Sequence, residues 1–395
     1  MLILLYNAKI ILPDSIVCGF VIVRDEKIES VGEGSEYPRL SYDREIDVKN
    51  NYLAPGFIEV HTHGAAGASF LDGTVEAFEK ISDMQLRHGT TTLVPSPESS
   101  SFENTLRCIE VFRAAKEKLA GKTLHLHGLH MEGPYLSVHQ LGGMDPAYVR
   151  NPDPKEYEVL LSAGKGLICR WTVAPEIEGA RAFIERLLEE GIQPSIGHSN
   201  AEYSQVKAAF DWGVRQVTHL YSTMSTIVRR SGFRISGVLE SAFCIPDMTV
   251  EMIADGCHLP PELLNMVYRL KGPEHVVLIS DSMNAAGSEA KEVPIGNGRI
   301  AIVEDGVLKL PDRSCFAGSI ALDDRLVRVM NKKADVPLWD AVRMLTLTPA
   351  QMLGIDKETG SIMPGKTADL ITFDEDINIL SVMVSGKQLV SKEIY

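Results

Sequence analysis

The feature that most constrains the fold is a set of eight short apolar runs separated by amphipathic stretches. In those stretches apolar residues recur three or four positions apart, which is typical of helices that bury one face. Eight such strand–helix alternations predict an α/β protein built on a (β/α)8 TIM barrel. In chain order the runs are GFIEVHTHG, TTLVPSP, LHLHGLHMEGP, CRWTVAPE, QPSIGHS, QVTHL, MTVEMIAD and HVVLISDS.

The two ends of the chain have a different character. Residues 1–55 contain short strand-like segments, with Asp25 and Glu26 in an expected hairpin turn, and no helical periodicity. A last helix, LWDAVRMLTLTPAQMLG, is followed by strand-like segments again. We therefore predict a small β-sandwich domain formed from both chain ends: residues 1–55, then the barrel over 56–358, then a return to the β domain over 359–395.

Charge and composition exclude some classes of partner. The 395 residues carry a net charge of −14, which argues against nucleic acid because such a partner needs a basic face. No apolar run approaches the roughly 20 residues that span a bilayer, and the N-terminus lacks the basic region and cleavage site of a signal peptide. The six cysteines contain no C-x-x-C pair, which suits a reducing compartment. We expect a soluble cytoplasmic protein without a membrane partner.

Histidines and acids end five of the predicted strands. In a TIM barrel catalytic groups lie at the C-terminal ends of the strands, so these side chains are expected to meet at one mouth. A single histidine at a strand end is more often structural, and an isolated H-x-H is a weak signal. Six such residues in one barrel instead predict a metal site. They are His61, His63, Glu132, His198, His219 and Asp281.

These residue types match the chemistry of amide hydrolysis. His61 and His63 are two positions apart, so on a strand they point to the same side and can bind one ion. Imidazole and carboxylate suit Zn²⁺ and similar first-row ions, and Glu132 can bind one metal ion or bridge two. A bound metal ion activates water at neutral pH. A carboxylate such as Asp281 can take the proton of that water and pass it to the leaving nitrogen.

Several motifs resemble one family over essentially the whole chain. PGFIEVHTHG (55–64) and GSIMPGKTADL (360–370) are similar to segments found throughout the amidohydrolase superfamily. HMEGPYL (130–136), GHSNAEY (197–203) and DGCHLPP (255–261) together resemble the N-acetylglucosamine-6-phosphate deacetylase family more specifically. The same resemblance extends over APE (174–176), VTHLYSTM (217–224), SDSMNAAG (280–287) and FAGS (316–319).

The resemblance implies roles for the residues at the mouth. It implies a first metal ion at Glu132, His198 and His219, and a second at His61 and His63. The cofactor is then one or two divalent ions, zinc first, with iron, manganese, cobalt or nickel as alternatives. Asp281 matches the general acid/base of the family, and His258 matches a histidine that polarises the acyl carbonyl. The alternative for His258 is a loop histidine that caps the helix after Pro260 and Pro261.

The substrate contacts depart from the family pattern. Met144 stands where family members have histidine, and a thioether cannot donate a hydrogen bond. Ser222 replaces an asparagine. Arg230 aligns with the arginine that grips the phosphate, supplied in family dimers by the neighbouring subunit, and Arg229 adds a second charge. The alternative for this pair is a solvated loop. The substrate-binding residues that the resemblance implies are Arg230, Ser222, Thr223, His258, Met144, Ala317 and Gly318.

Three functional hypotheses follow. The leading one is deacetylation of N-acetylglucosamine 6-phosphate by a homodimer, giving glucosamine 6-phosphate and acetate. The second is deacetylation of a related N-acyl amino sugar, such as the galacto epimer or an unphosphorylated sugar, which Met144 and Ser222 motivate. The third is a non-catalytic barrel, against which the intact set of ligands argues.

Overall fold

The computed structural model describes residues 1–295 and 299–392, and it begins with an antiparallel meander. β2 pairs with β1 and with β3, and the β2–β3 turn is made by Asp25 and Glu26, as predicted. Asp25 takes a left-handed φ of +55°, which a tight hairpin turn requires. The strands are β1 (Leu2–Ile11), β2 (Ile16–Arg24), β3 (Lys27–Glu33), β4 (Arg44–Asp47) and β5 (Tyr52–Pro55).

Each of the eight apolar runs contains a strand, and these strands pair in parallel. In chain order this region has β6 (Phe57–Thr62), β7 (Gly64–Ala65), β8 (Ala68–Ser69), β9 (Thr90–Pro95), β10 (His125–Leu126), β11 (Leu129–Glu132), β12 (Ile168–Val173), β13 (Gln193–Ile196), β14 (Gln216–Val217), β15 (Val228–Arg230), β16 (Phe233–Ile235), β17 (Thr249–Ile253) and β18 (Val276–Ile279). One parallel sheet has the order β10–β9–β6, and a second has the order β11–β12–β13–β14–β17–β18. The strands are buried on both faces, as parallel strands covered by helices are.

The two parallel sheets approach each other at both margins. On one side Glu98, beyond β9, forms a β-bridge with Glu132 at the end of β11. On the other side the amide of Asp281 donates to the carbonyl of His61 over 3.0 Å, and the amide of His63 donates to the carbonyl of Ser282 over 2.8 Å. The ends of the first and last parallel strands are therefore directly connected.

Helices follow the strands and bury one face against them. In α1, Phe78, Ile81 and Gln85 recur three or four apart and are buried, and the Thr74 side chain caps the first turn. Among the described residues, none of the helices combines the length and apolarity needed to cross a bilayer. The helices are α1 (Val75–Arg87), α2 (Phe102–Leu119), α3 (Pro154–Ala163), α4 (Ala180–Glu189), α5 (Tyr203–Trp212), α6 (Val238–Cys244), α7 (Pro261–Lys271), α8 (Asp323–Lys332), α9 (Leu338–Arg343) and α10 (Leu347–Leu353), with a 3₁₀ turn at Phe70–Asp72.

Two local features differ from the sequence analysis. The expected single helix LWDAVRMLTLTPAQMLG is divided into α9 and α10, because Pro349 cannot continue a helix whose previous turn includes residue 345. The segment between β18 and α8 also folds into an antiparallel sheet that we did not predict. Its strands are β19 (Glu292–Pro294), β20 (Ile300–Glu304), β21 (Val307–Lys309) and β22 (Phe316–Ser319), with Asp305 and Gly306 in the β20–β21 turn.

The chain returns at its end to the first sheet. β23 (Leu370–Phe373), β24 (Ile379–Val384) and β25 (Lys387–Ser391) extend it through β5, in the order β25–β24–β23–β5–β1–β2–β3, with β4 beside β1. Ile3 and Leu5 pack into one apolar cluster, and Leu2 and Leu4 pack into another on the opposite face. Strands from both chain ends thus share a sheet, as expected; residues 393–395 of the predicted segment lie outside the described residues.

Candidate metal centre and catalytic site

Five of the six residues at the strand ends form two ligand groups that share one carboxylate. The Oε1 atom of Glu132 lies 3.2 Å from Nε2 of His198 and 3.0 Å from Nε2 of His219. The same oxygen lies 3.4 Å from Nε2 of His61, and Oε2 lies 3.4 Å from Nε2 of His63. Either group, His61–His63–Glu132 or Glu132–His198–His219, could hold a metal ion, and every member is buried.

Unusual backbone conformations direct three of these side chains into the mouth. His198, His219 and Asp281 each follow their strand by two residues and take φ values of +47°, +30° and +48°. Left-handed φ is uncommon outside glycine, and such strain concentrates at functional sites. The side chains of all three residues line one cavity.

The ring nitrogens fit a bound cation. Among the described residues, the buried Nε2 of His61 has no hydrogen-bond partner, and Nε2 atoms of His198 and His219 face each other at 3.1 Å. Burial favours neutral rings, but the carboxylates of Glu132 and Asp281 outweigh it and raise the pKa of His63 to about 9. The site therefore stabilises positive charge, which a divalent ion can supply in place of protons.

A buried ion pair between Glu251 and Arg170 supports the candidate metal ligands. Glu251, in β17, contacts Nδ1 of His61 at 2.9 Å and accepts from the amide of His219 at 3.3 Å. Its other oxygen pairs with Arg170, which also donates to Gln216 over 3.0 Å. Burial opposes ionisation of Glu251, but Arg170 and His61 outweigh it and hold its pKa well below the ordinary value. This contact orients the His61 ring and directs its Nε2 toward Glu132.

Asp281 lies beside the ligand groups and borders the open cavity. Its Oδ1 is 2.9 Å from Nε2 of His63 and 3.6 Å from Nε2 of His61. Burial opposes ionisation, but the hydrogen bond with His63 and the nearby rings outweigh it and lower the pKa of Asp281. The buried carboxylate of Glu59 accepts from the amides of His61 and Ser280, each over 2.8 Å, and so links the strands that carry the ligands and the acid.

His258 reaches the same cavity from the loop after β17. Asp255 accepts from the His258 amide over 2.8 Å and contacts its Nδ1 at 2.8 Å. With Nδ1 engaged, Nε2 is the ring nitrogen left for a substrate oxygen. The ring packs edge-on against Phe316 of β22, with the ring centroids 5.0 Å apart. The loop therefore holds His258 in the cavity wall.

The cavity contains most of the substrate residues that the resemblance implied. It has a volume of about 280 Å³, and its wall includes Met144, Ser222, Thr223, His258, Ala317 and Gly318. Arg230 does not line it. This arginine is exposed on the β15–β16 hairpin and pairs with Glu202. Arg229 is exposed beside it. Arg230, the predicted phosphate-binding arginine, therefore lies outside the cavity of the chain to which it belongs.

A family model matches the part of the chain that builds this site. The match covers residues 52–389 and is described as the amidohydrolase family. The chain belongs to this family. The amidohydrolase is 31% identical over 369 residues to the N-acetylglucosamine-6-phosphate deacetylase of Haemophilus influenzae, which is 93% of each chain. It is also 31% identical over 346 residues to the N-acetylgalactosamine-6-phosphate deacetylase of Shewanella sp., covering 86% of this chain and 84% of the relative.

A solved structure of a similar protein extends the comparison to the fold. The protein is a mutant N-acetyl-D-glucosamine-6-phosphate deacetylase from Mycobacterium smegmatis, in complex with N-acetyl-D-glucosamine-6-phosphate. The TM-score is 0.88 at 30% identity, over 99% of both chains. The amidohydrolase thus shares its α/β architecture with a deacetylase of nearly equal length.

The sequence analysis missed several charged residues at this amidohydrolase site. Glu59, Arg170 and Glu251 lie inside strands, and each interrupts an apolar run. A charge within a fully buried strand is costly unless it is paired, so this position is itself a signal of a buried polar network. Glu98, three residues after β9, lines the cavity and had no comparable pattern around it.

Proposed function

We propose that this amidohydrolase removes the acetyl group of N-acetylglucosamine 6-phosphate, giving glucosamine 6-phosphate and acetate. The observation that carries the proposal is the convergence of two ligand groups on Glu132, with Asp281 2.9 Å from His63 at the edge of an open cavity. The similarity to named deacetylases over nearly the whole chain supports the choice of substrate.

The two ligand groups would hold one or two divalent ions. We propose zinc first, because imidazole with carboxylate suits it, and iron, manganese, cobalt and nickel as alternatives. His198, His219 and Glu132 form the first site, and His61 and His63 form the second with the same glutamate. A metal ion bound there supplies Lewis-acid activation of water and of the acyl oxygen.

The remaining steps belong to side chains of the cavity. Asp281 accepts a proton from the attacking water and delivers it to the sugar nitrogen as the carbon–nitrogen bond breaks. His258 binds the acyl oxygen through Nε2, where negative charge develops, while Asp255 fixes the ring through Nδ1. Ser222, Thr223, Ala317 and Gly318 surround the sugar, and Met144 gives it an apolar contact.

Arg230 is proposed to act across a homodimer. Its exposed hairpin also carries Val228 and Phe233, which are 48% and 75% exposed, so the hairpin offers apolar surface beside guanidinium groups. We propose that the hairpin packs on a second copy and places Arg230 at that copy's cavity, with Arg229 as additional charge. A phosphate accepts paired hydrogen bonds from arginine well.

The architecture supports a further part of the proposal. We propose that the eight parallel strands close into a complete (β/α)8 barrel over residues 56–358. Residues 1–55 and 359–395 would form the small β-sandwich domain. The hydrogen bonds between the His61 and Asp281 segments support closure, and the shared sheet of both chain ends supports the second domain. A cytoplasmic location remains a prediction from the sequence.

The galacto epimer is the second candidate substrate. The chain is equally identical, at 31%, to one relative named for each epimer, and Met144 and Ser222 stand where sugar contacts were expected. A lost hydrogen-bond partner shifts preference by about 1–3 kcal/mol.

A substrate screen on metal-replete protein tests the proposal. Acetate release is measured with N-acetylglucosamine and N-acetylgalactosamine, each with and without the 6-phosphate. We expect the highest kcat/KM with N-acetylglucosamine 6-phosphate. A higher value for the galacto epimer would establish the second candidate, and turnover of unphosphorylated sugars alone would contradict the role of Arg230.

A further inference from the structure

A second cavity adjoins the catalytic one. It has a volume of about 390 Å³, and we call it the side cavity. His63, Glu98, Met283 and Ile295 line both cavities, so the two cavities are separated only by these shared side chains. The amide hydrolysis proposed above does not use this space.

The side cavity lies on one particular side of the metal centre. Its wall includes residues that follow β6 and β9, whereas Ser222, Thr223 and His258 line only the catalytic cavity. The two substituents of an amide extend in opposite directions from the carbonyl carbon and the nitrogen. If the sugar occupies the Ser222 side, the acyl group extends toward the side cavity.

Three carboxylates line the side cavity, and they outnumber the positively charged groups in its wall, which are the Arg299 guanidinium and the His63 ring. Among the described residues, no group donates a hydrogen bond to the Glu98 carboxylate, and the buried Oδ1 of Asn284 also has no partner. Asp72 and Asp145 accept only from backbone amides, each over 2.9 Å. Of the described residues that line the side cavity, Arg299 is the one arginine or lysine, and it donates to the carbonyl of Gly143 over 3.0 Å. A ligand that donates hydrogen bonds and carries positive charge complements this wall.

We propose that the side cavity accepts the tail of an N-acyl group that ends in an ammonium, with Glu98 as its partner. The substrate class is then N-(ω-aminoacyl) amino sugar phosphates in addition to the N-acetyl compound; this inference rests on the proposed function. Water adds to the acyl carbon, the carbon–nitrogen bond breaks, and the proton from water goes to the sugar nitrogen. The products are an amino acid and the free amino sugar phosphate.

Matched pairs of substrates test the inference. N-glycyl, N-β-alanyl and N-(4-aminobutyryl) glucosamine 6-phosphate are each compared with the N-propionyl, N-butyryl or N-pentanoyl compound of the same length. The measured quantity is the ratio of kcat/KM for the ammonium compound to that for its methyl partner. Because the ratio is taken within one variant, a loss common to all substrates cancels.

Substitution of Glu98 gives the decisive comparison. Glu98→Gln should lower the ratio by about tenfold for at least one pair, the loss expected for a hydrogen bond to a charged group. Glu103→Gln, an exposed acid in the first turn of α2, should leave every ratio unchanged. Asp72→Asn is a second variant, with a smaller decrease expected, if Glu98→Gln does not fold.

The outcomes separate this inference from the proposed function. Ratios that are unchanged in both side-cavity variants, with N-acetyl turnover present in the wild type, would overturn the inference alone. Absence of N-acetyl turnover in metal-replete wild type would overturn the proposed function and the inference with it.

Discussion

The buried pair of Glu251 and Arg170 gives the sharpest test of how this site is supported. Glu251 contacts Nδ1 of His61 at 2.9 Å and accepts from the amide of His219, while its other oxygen pairs with Arg170. The two side chains are 1% and 0% exposed. Glu251→Gln keeps the shape of the side chain but removes its charge, so it perturbs both the ligands and the ion pair.

The structure separates two effects of this change. Loss of one partner leaves the Arg170 charge buried and unpaired, which costs about 3–5 kcal/mol of the free energy of unfolding. Loss of the charged contact to His61 should weaken metal binding about 10–100-fold, as substitutions that disturb the support of a ligand do. The double variant Glu251→Gln/Arg170→Met removes both charges, so we expect it to recover stability but not metal affinity.

Two measurements distinguish these effects. Thermal unfolding of the metal-free proteins reports stability, and competition with a chelator reports metal affinity. Glu185→Gln, an exposed acid in α4 that pairs with Arg181, serves as the control for loss of one negative charge. Recovery of metal affinity in the double variant would refute the reasoning, because Glu251 would then act on the metal only through stability.

Three further predictions concern the acid, the phosphate and a buried amine. Asp281→Asn should lower kcat by about 10²-fold or more, while metal content, measured by elemental analysis, stays at the wild-type value. A near-native kcat would contradict the proposed role of Asp281 in proton transfer. Arg230→Ala should raise KM about tenfold for the phosphorylated sugar, with little change for its unphosphorylated analogue, and equal effects would contradict phosphate binding. Lys271 donates to the carbonyls of Ala242, Ile245 and Pro246, and burial lowers its pKa to about 8. Between pH 8 and the ordinary lysine pKa of 10.5, the unfolded chain binds more protons than the folded one. The free energy of unfolding of the wild type should therefore increase with pH relative to that of Lys271→Met. Parallel curves of Tm against pH for the two proteins would refute this.

Much of the site was predictable because local pattern and chemistry coincide at the strand ends. Apolar runs that alternate with segments of helical periodicity indicate buried parallel strands. The polar residue that ends such a run lies at the C-terminal edge of the sheet. His61, His63 and Glu132 could be identified in this way. Arg170 and Glu251 could not, because their pairing joins β12 and β17, which are far apart in the chain, and periodicity carries no information on that contact.

The sequence by itself determined the parallel α/β fold, the family and the set of candidate metal ligands, since these follow from residue types placed at strand ends. Only the tertiary structure decided that Arg230 lies outside its own cavity, that β19–β22 form a sheet whose Phe316 packs on His258, and that Glu98 borders a second cavity. The physical reason is that hydrophobic patterning reports whether a residue is buried. Which distant residue it meets depends on how strands and loops from different parts of the chain come together.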